Sequence, residues 1–398
     1  MGVRKVKILF VVPGLHNGGT ITSLKNLLCR IDKDKCQVDV YPITNSGPNY
    51  DFISQYANII GTYIGNNNLL RSHSLKDRVK GIVFNVIKHI KKVLTCWGFD
   101  PSPVFFKRVV SSLQKNNYDE VIAFQEGQAT RLCSYFENVR KVAWVHCDYS
   151  KIELEYINRD RKLNVYDTYE QIICVSEYTK NRFLSIYPSY SGKTIGIHNI
   201  ISSEVILKMA KEDTEDVIFK KCSNVRIVSL GRLHPVKRFS DIPRIANDLK
   251  IKGLKFNWFV IGGDSGDANL IKNNIQKYQV ENEVTLLGNI NNPYPYIKNA
   301  DLLVCTSISE ACPNVINEAK ILGTPIVCTD FGSSVEMMTD GVEGRICSFD
   351  RIVEGISELL MNNEKLGVIK NNLNHYNYSN SSIEEKLEMV TSLRFLKG

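Results

Sequence analysis

Short apolar runs alternate along this chain with stretches whose apolar positions recur every three or four residues. That alternation predicts buried parallel strands separated by amphipathic helices. In the first half the runs are Val6 to Val12, Gln37 to Ile43, Asp119 to Phe124, Lys141 to Val145, Gln171 to Val175 and Thr194 to Ile197. In the second they are Asn224 to Leu230, Phe256 to Ile261, Glu283 to Leu287, Asp301 to Cys305, Pro325 to Cys328 and Arg345 to Ser348. Helical periodicity covers Ile21 to Arg30, Glu177 to Tyr187, Ile352 to Asn362, Glu364 to Leu373 and Ile383 to Phe395. Two such βα series, with a crossover at His198 to Ile200, predict an α/β protein with two Rossmann-like domains. The expected domains are 1–200 and 201–380, with a last helix over 381–398 packing back on the first.

A chain of 398 residues accommodates two domains of this size. No uncharged apolar run approaches the roughly 18 to 20 residues that span a bilayer. The basic start and apolar run at Val3 to Val12 end in Pro13-Gly14 without a small-residue cleavage site, so a first strand is expected rather than a signal peptide. Eleven cysteines, an odd number with no CxxC pair, favour reduced thiols in a cytoplasmic protein over disulfides or a zinc site.

The net charge of +8 changes the picture because it is unevenly placed. Residues 71–115 alone carry ten basic and two acidic side chains. Within them Lys76 to Trp97 has helical apolar spacing with lysines between, a basic amphipathic stretch. It is expected either to pack on the first domain with a solvated basic face or to contact an anionic membrane surface or a lipid-diphosphate acceptor. No nucleic-acid recognition motif accompanies the charge, so nucleic acid is not an expected partner.

Candidate chemistry clusters where strands end, the edge at which open α/β sheets bind ligands. After Asp301 to Cys305 a polar turn leads into a helix opening near Pro313, which Gly323 and Pro325 stop. Glu310 lies in that turn and Glu318 on the helix. The opening amides, near Asn314 and Val315, suit a phosphate. Gly231-Arg232 follows another strand, with Lys237 five positions beyond Arg232; both cations suit phosphate oxygens. Gly18 and Gly19 form a strand–turn–helix without the spacing of a dinucleotide fingerprint or P-loop. His146 and Asp148 follow the Lys141 to Val145 strand. Asp32-Lys33-Asp34, although a DxD, lies between lysines at a helix end and reads as a solvated turn.

Glu310-x7-Glu318 followed by Gly-Thr-Pro, with Arg232 and Lys237 about 80 residues before it, resembles the GT4 family of retaining glycosyltransferases. The resemblance spans nearly the full chain. It implies the GT-B fold, two Rossmann-like domains facing across a cleft. The first domain would bind mainly the acceptor and the second mainly a nucleotide-sugar donor, with a UDP-sugar expected. It implies that Arg232, Lys237, Gly18, Gly19 and the helix amides hold the donor diphosphate without a metal. Glu318 would bind the ribose, and Glu310 a donor-sugar hydroxyl in an oxocarbenium-like state. His146 would lie beside donor sugar and acceptor, with Asp148 a weaker acceptor-side candidate. Where the family often has an aromatic residue and Gly after the first Glu, this chain has Cys312 and Pro313, and Pro offers no amide. The implied role is transfer to a glycan or lipid-linked acceptor in bacterial cell-surface polysaccharide synthesis, in the cytoplasm or at the inner face of the plasma membrane. A catalytically silent GT-B binding subunit and a sugar-nucleotide hydrolase or epimerase stay open, while a nicotinamide enzyme lacks its glycine fingerprint.

Overall fold

The computed structural model describes residues 4–44, 47–61, 102–152, 154–214 and 216–396. Most of the basic stretch 71–115, including Lys76 to Trp97, lies outside them. Two compact units emerge, each a parallel α/β layer structure. One comprises Met1–Val175, Thr179–His198 and Ser381–Gly398, the other Ser176–Tyr178 and Asn199–Asn380.

The first unit holds β1 (Val6–Val12), β2 (Cys36–Pro42), β3 (Asn58–Ile59), β4 (Glu120–Ala123), β5 (Arg140–Val145), β6 (Gln171–Cys174) and β7 (Thr194–Gly196). They form one parallel sheet in the order β3-β2-β1-β4-β5-β6-β7. The order reverses between β1 and β4, which pair through Val11 and Ala123. The two-residue β3 went unread in the sequence because it is too short to show alternation. Leu9, Val11, Val121, Ala123, Ala143 and Val145 point to one fully buried face of this sheet.

The second unit holds β8 (Val225–Leu230), β9 (Phe256–Ile261), β10 (Val284–Gly288), β11 (Leu302–Cys305), β12 (Ile326–Thr329) and β13 (Gly344–Cys347). Their order is β10-β9-β8-β11-β12-β13, again parallel, with the reversal between β8 and β11. Alternation along the strands divides the core between the two faces of the sheet. Ile227, Leu302, Val304 and Val327 enter one cluster, and Val228, Leu303, Cys305 and Cys328 the other. The strands leave this edge in close backbone contact. A Cβ on Gly262, after β9, would sit 1.7 Å from the carbonyl oxygen of Gly231, after β8, so only glycine fits there.

The last described helix, Ser381–Val390, belongs to the first unit but is shorter than the periodicity suggested. Beyond it the chain straightens, and Phe395 forms an antiparallel bridge with Ile31. Leu393 and Phe395 are buried, so their apolar spacing reports a packed extended tail rather than a helical face. Arg30 pairs with Glu384 at 2.8 Å, and the Ser392 N–H donates to the buried Glu120 carboxylate at 2.9 Å.

Candidate functional site

In the second unit the reversal point brings the loops after β8 and β11 together, the position where an open sheet leaves a crevice for ligand. The β8 loop runs through Arg232 into a short 3-10 turn, Pro235–Lys237, and places Arg238 in the left-handed region at φ 57°. The β11 loop is tied to it: the Ile308 N–H donates to the Val236 carbonyl at 2.8 Å, and the Thr306 hydroxyl to the Lys237 carbonyl at 2.8 Å. This tie brings the Lys237 ammonium onto Glu310 Oε1 as an ion pair. The Ser307 hydroxyl donates to the same oxygen at 2.6 Å. Burial alone would pull the Lys237 ammonium down, but the Glu310 charge and hydrogen bond outweigh it and hold it above the usual lysine range. Gly231 lies under the lysine stem, where an added Cβ would come within 3.1 Å of Cε. Arg232 is exposed and makes no ion pair among the described residues.

The backbone beyond Glu310 is pinned residue by residue. Ser333 donates to the Glu310 carbonyl at 3.0 Å, Ser176 to that of Ala311 at 2.7 Å, and Asn199 to that of Cys312 at 3.4 Å. Asn199 also donates to the Asn314 side-chain oxygen at 3.1 Å. Helix Asn314–Ile321 follows, with Pro313 as its N-cap rather than its first helical residue. Cys312 turns its sulfur toward Met337, and burial pushes the thiol up to about 12. Val315 packs partly buried against the apolar cluster, and Glu318 is buried in the second turn. Arg232, Lys237, Glu310, Cys312, Asn314, Val315 and Glu318 thus share one edge of one unit.

The first-unit candidates occupy the corresponding edge of the other sheet. Gly18 and Gly19 lead from β1 into helix Gly19–Arg30. A Cβ on either would meet nothing within 4 Å, so no neighbouring protein atom demands glycine there. His146 leaves β5 with its ring 4.8 Å from that of Phe124 and stacked at 17° on Trp144. Its Nε2 is buried without a hydrogen-bond partner among the described residues, and burial lowers the imidazole to about 3. Asp148 is buried and accepts the Ser150 N–H and hydroxyl at 2.9 and 2.7 Å, the N-cap of a 3-10 turn. Asp32 accepts the Asp34 N–H at 2.9 Å and pairs with Lys35 at 2.9 Å, its own side chain 14% exposed.

Sequence reasoning passed over Ser307 and Glu126. Ser307 stands three positions before Glu310, a spacing that a loop can turn into contact. Glu126 follows β4, directly at the first-unit reversal point. Its carboxylate accepts the backbone N–H of His146 at 2.8 Å, and burial raises it. A carboxylate two positions after the Asp119 to Phe124 run was the available signal.

The fold is GT-B. HepE of Anabaena, crystallised with UDP and glucose, superposes with a TM-score of 0.74 at 16% identity, covering 96% of this chain and 98% of that one. Residues 211–375 match the family model for glycosyl transferases group 1. An uncharacterized glycosyltransferase of Haemophilus influenzae is 24% identical over 232 residues, 58% of this chain and 62% of that protein. A Campylobacter jejuni protein is 24% identical over 289 residues, 71% of this chain and 72% of its own length. It is named as the N-acetylgalactosamine-N,N'-diacetylbacillosaminyl-diphospho-undecaprenol 4-alpha-N-acetylgalactosaminyltransferase.

Proposed function

We propose that this chain is a retaining glycosyltransferase that moves a sugar from a nucleotide-sugar donor, with a UDP-sugar favoured, to the hydroxyl of a glycan or lipid-linked acceptor. One observation carries the reading: at the reversal point of a group 1 domain, Lys237 and Glu310 converge from neighbouring strand ends. A cation for departing phosphate and a carboxylate for a sugar hydroxyl are the two groups such a transfer requires.

In this reading the acceptor oxygen attacks the anomeric carbon while the bond to the diphosphate breaks. The bonding electron pair goes to the diphosphate, which takes the acceptor's proton on the same face of the sugar. Charge gathers on the leaving group. Lys237, Arg232 and the amides opening helix Asn314–Ile321 stabilise it without calling on a metal. Glu310 holds a sugar hydroxyl and lowers the energy of the positive charge developing on the ring. Glu318 takes the ribose. Gly18 and Gly19 leave room for a diphosphate to approach the backbone of the β1 turn. His146 is held neutral by its burial and offers a hydrogen bond rather than a charge.

The UDP complex of the Anabaena protein and the activity for which the Campylobacter protein is named support a UDP donor and a lipid-diphosphate-linked glycan acceptor. They favour a place in cell-surface polysaccharide assembly at the cytoplasmic side of a membrane. No helix among the described residues is long and apolar enough to cross a bilayer, and the reading requires only peripheral contact.

The test is a thermal-shift screen of UDP-, GDP- and ADP-sugars, with NADH as control and with and without EDTA. A shift with one sugar nucleotide that survives EDTA is the expected outcome. No shift with any of them rejects the reading.

A further inference from the structure

Glu310 receives two donors on a single oxygen. The Lys237 ammonium and the Ser307 hydroxyl both reach Oε1, and no donor among the described residues reaches Oε2. An ionised carboxylate only accepts hydrogen bonds, so the single Ser307 proton must point at Glu310. The Cys305 sulfur lies 3.5 Å from the same hydroxyl. Burial raises that thiol and keeps its proton, so it can donate to Ser307 Oγ. The order of donation is therefore Cys305 to Ser307 to Glu310.

The serine itself has little freedom. Its side chain is buried, and its carbonyl accepts the Thr329 hydroxyl at 2.6 Å. The Glu310 carbonyl is fixed in turn by Ser333 at 3.0 Å. Carboxylate and backbone are thus held from opposite ends, which leaves the rotation of the carboxylate determined by Ser307 and Lys237. Lys237 is the less constant of the two partners, because its ammonium has further protons to offer a phosphate.

We propose that Ser307 is a positioning residue for the transfer reaction: it holds Glu310 by Oε1 so that Oε2 faces the donor sugar, and it keeps that orientation while Lys237 engages the diphosphate. The inference rests on the reading of Glu310 as the donor-sugar contact. It adds a division of labour between the two carboxylate oxygens and a residue that enforces it. Ser307 touches no substrate, so its effect must pass entirely through Glu310.

The experiment uses the sugar nucleotide giving the largest thermal shift in the screen above, together with its parent nucleoside diphosphate. Both are titrated calorimetrically into the wild type, Ser307→Ala, Ser307→Thr, Glu310→Ala and the Ser307→Ala/Glu310→Ala double variant. Ser307→Ala should weaken sugar-nucleotide binding about three- to tenfold and nucleoside-diphosphate binding less than twofold. Ser307→Thr, which restores a hydroxyl, should recover most of the loss; if the added methyl is not accommodated, the alanine cycle decides alone. In the Glu310→Ala background, Ser307→Ala should change nothing further. Equal losses for both ligands, or a Ser307→Ala effect that persists without Glu310, overturns the proposal. So does a Ser307→Ala protein that binds both ligands like the wild type. A wild type that binds no nucleotide instead rejects the functional reading on which the proposal stands.

Discussion

Lys237 and Glu310, 73 positions apart, form an ion pair at the ends of two neighbouring strands. In the proposed reading, a group for phosphate and a group for sugar are thereby stored against each other. Each partly buried charge is neutralised until a ligand competes for it. The arrangement limits the cost of holding charges where water is scarce, because the expensive state is a lone buried charge rather than a pair.

Lys237→Ala should therefore have two separable effects. Donor binding should weaken by roughly 1.5–3 kcal/mol, the scale of a hydrogen bond to a charged group, as read by calorimetric titration. Stability in urea should fall as well, because Glu310 loses its cation, and adding Glu310→Gln should recover part of that fall. An unchanged donor affinity would remove Lys237 from the site.

Glu310→Gln keeps an acceptor for Ser307 but removes the charge. Turnover should drop by at least about a hundredfold, or close to 3 kcal/mol of transition-state stabilisation, while donor affinity changes far less. Turnover and equilibrium binding measured on one preparation separate the two effects. Normal turnover would take Glu310 out of the mechanism.

Glu120 predicts a pH dependence outside the site. Burial raises its carboxyl to about 7 despite the Ser392 N–H and Arg140, which oppose the shift. A carboxyl raised in the folded state favours folding while protonated. Its contribution is full below the ordinary range near 4.5 and is lost as pH climbs through 7. Glu120→Gln should flatten this part of the stability curve and gain up to about 3 kcal/mol at pH 8. Melting curves of both proteins from pH 4.5 to 8 provide the check, and parallel curves would reject it.

His146 has the opposite sign. Its imidazole is lowered to about 3 by burial, so the folded protein resists protonating it while the unfolded chain does not. Its stabilising contribution is complete above the ordinary histidine range and declines as pH falls from about 6.5. NMR of labelled histidine should show a flat His146 signal from pH 5 to 8. Titration near 6.5 would mean that the ring is solvated.

For residues 71–115, co-sedimentation with anionic vesicles should decrease as salt rises, since exposed charges are screened beyond about 10 Å at 0.1 M. Absence of binding at low salt would favour a helix packed on the first unit.

The strands could be read from apolar runs because both faces of each sheet are covered, as Trp258 and Val260 on one side and Phe259 and Ile261 on the other illustrate. Glu310, Arg232 and Lys237 were accessible because loops at strand ends have few structural reasons to carry such groups. The Lys237–Glu310 contact was not, since spacing along the sequence does not reveal which strands are neighbours. Ser307 and Glu126 were missed for a related reason: a serine or a single glutamate in a loop has no periodicity, and only its hydrogen-bond partner gives it meaning. The cap that Asp148 gives the following 3-10 turn through Ser150 was likewise not legible from its place at a strand end.

The return of residues 381–396 to the first unit has a consequence for how the protein is made. Leu387, Leu393 and Phe395 complete a core whose other parts lie before residue 200, and Ser392 supplies a donor to a carboxylate buried on β4. A ribosome adding about 5–20 residues per second finishes the first sheet long before it produces this cover. For on the order of ten seconds or more, the nascent first unit carries an uncovered apolar surface and a partly satisfied Glu120. During that interval the surface is open to chaperones, and a chain interrupted before residue 387 would lack its cover.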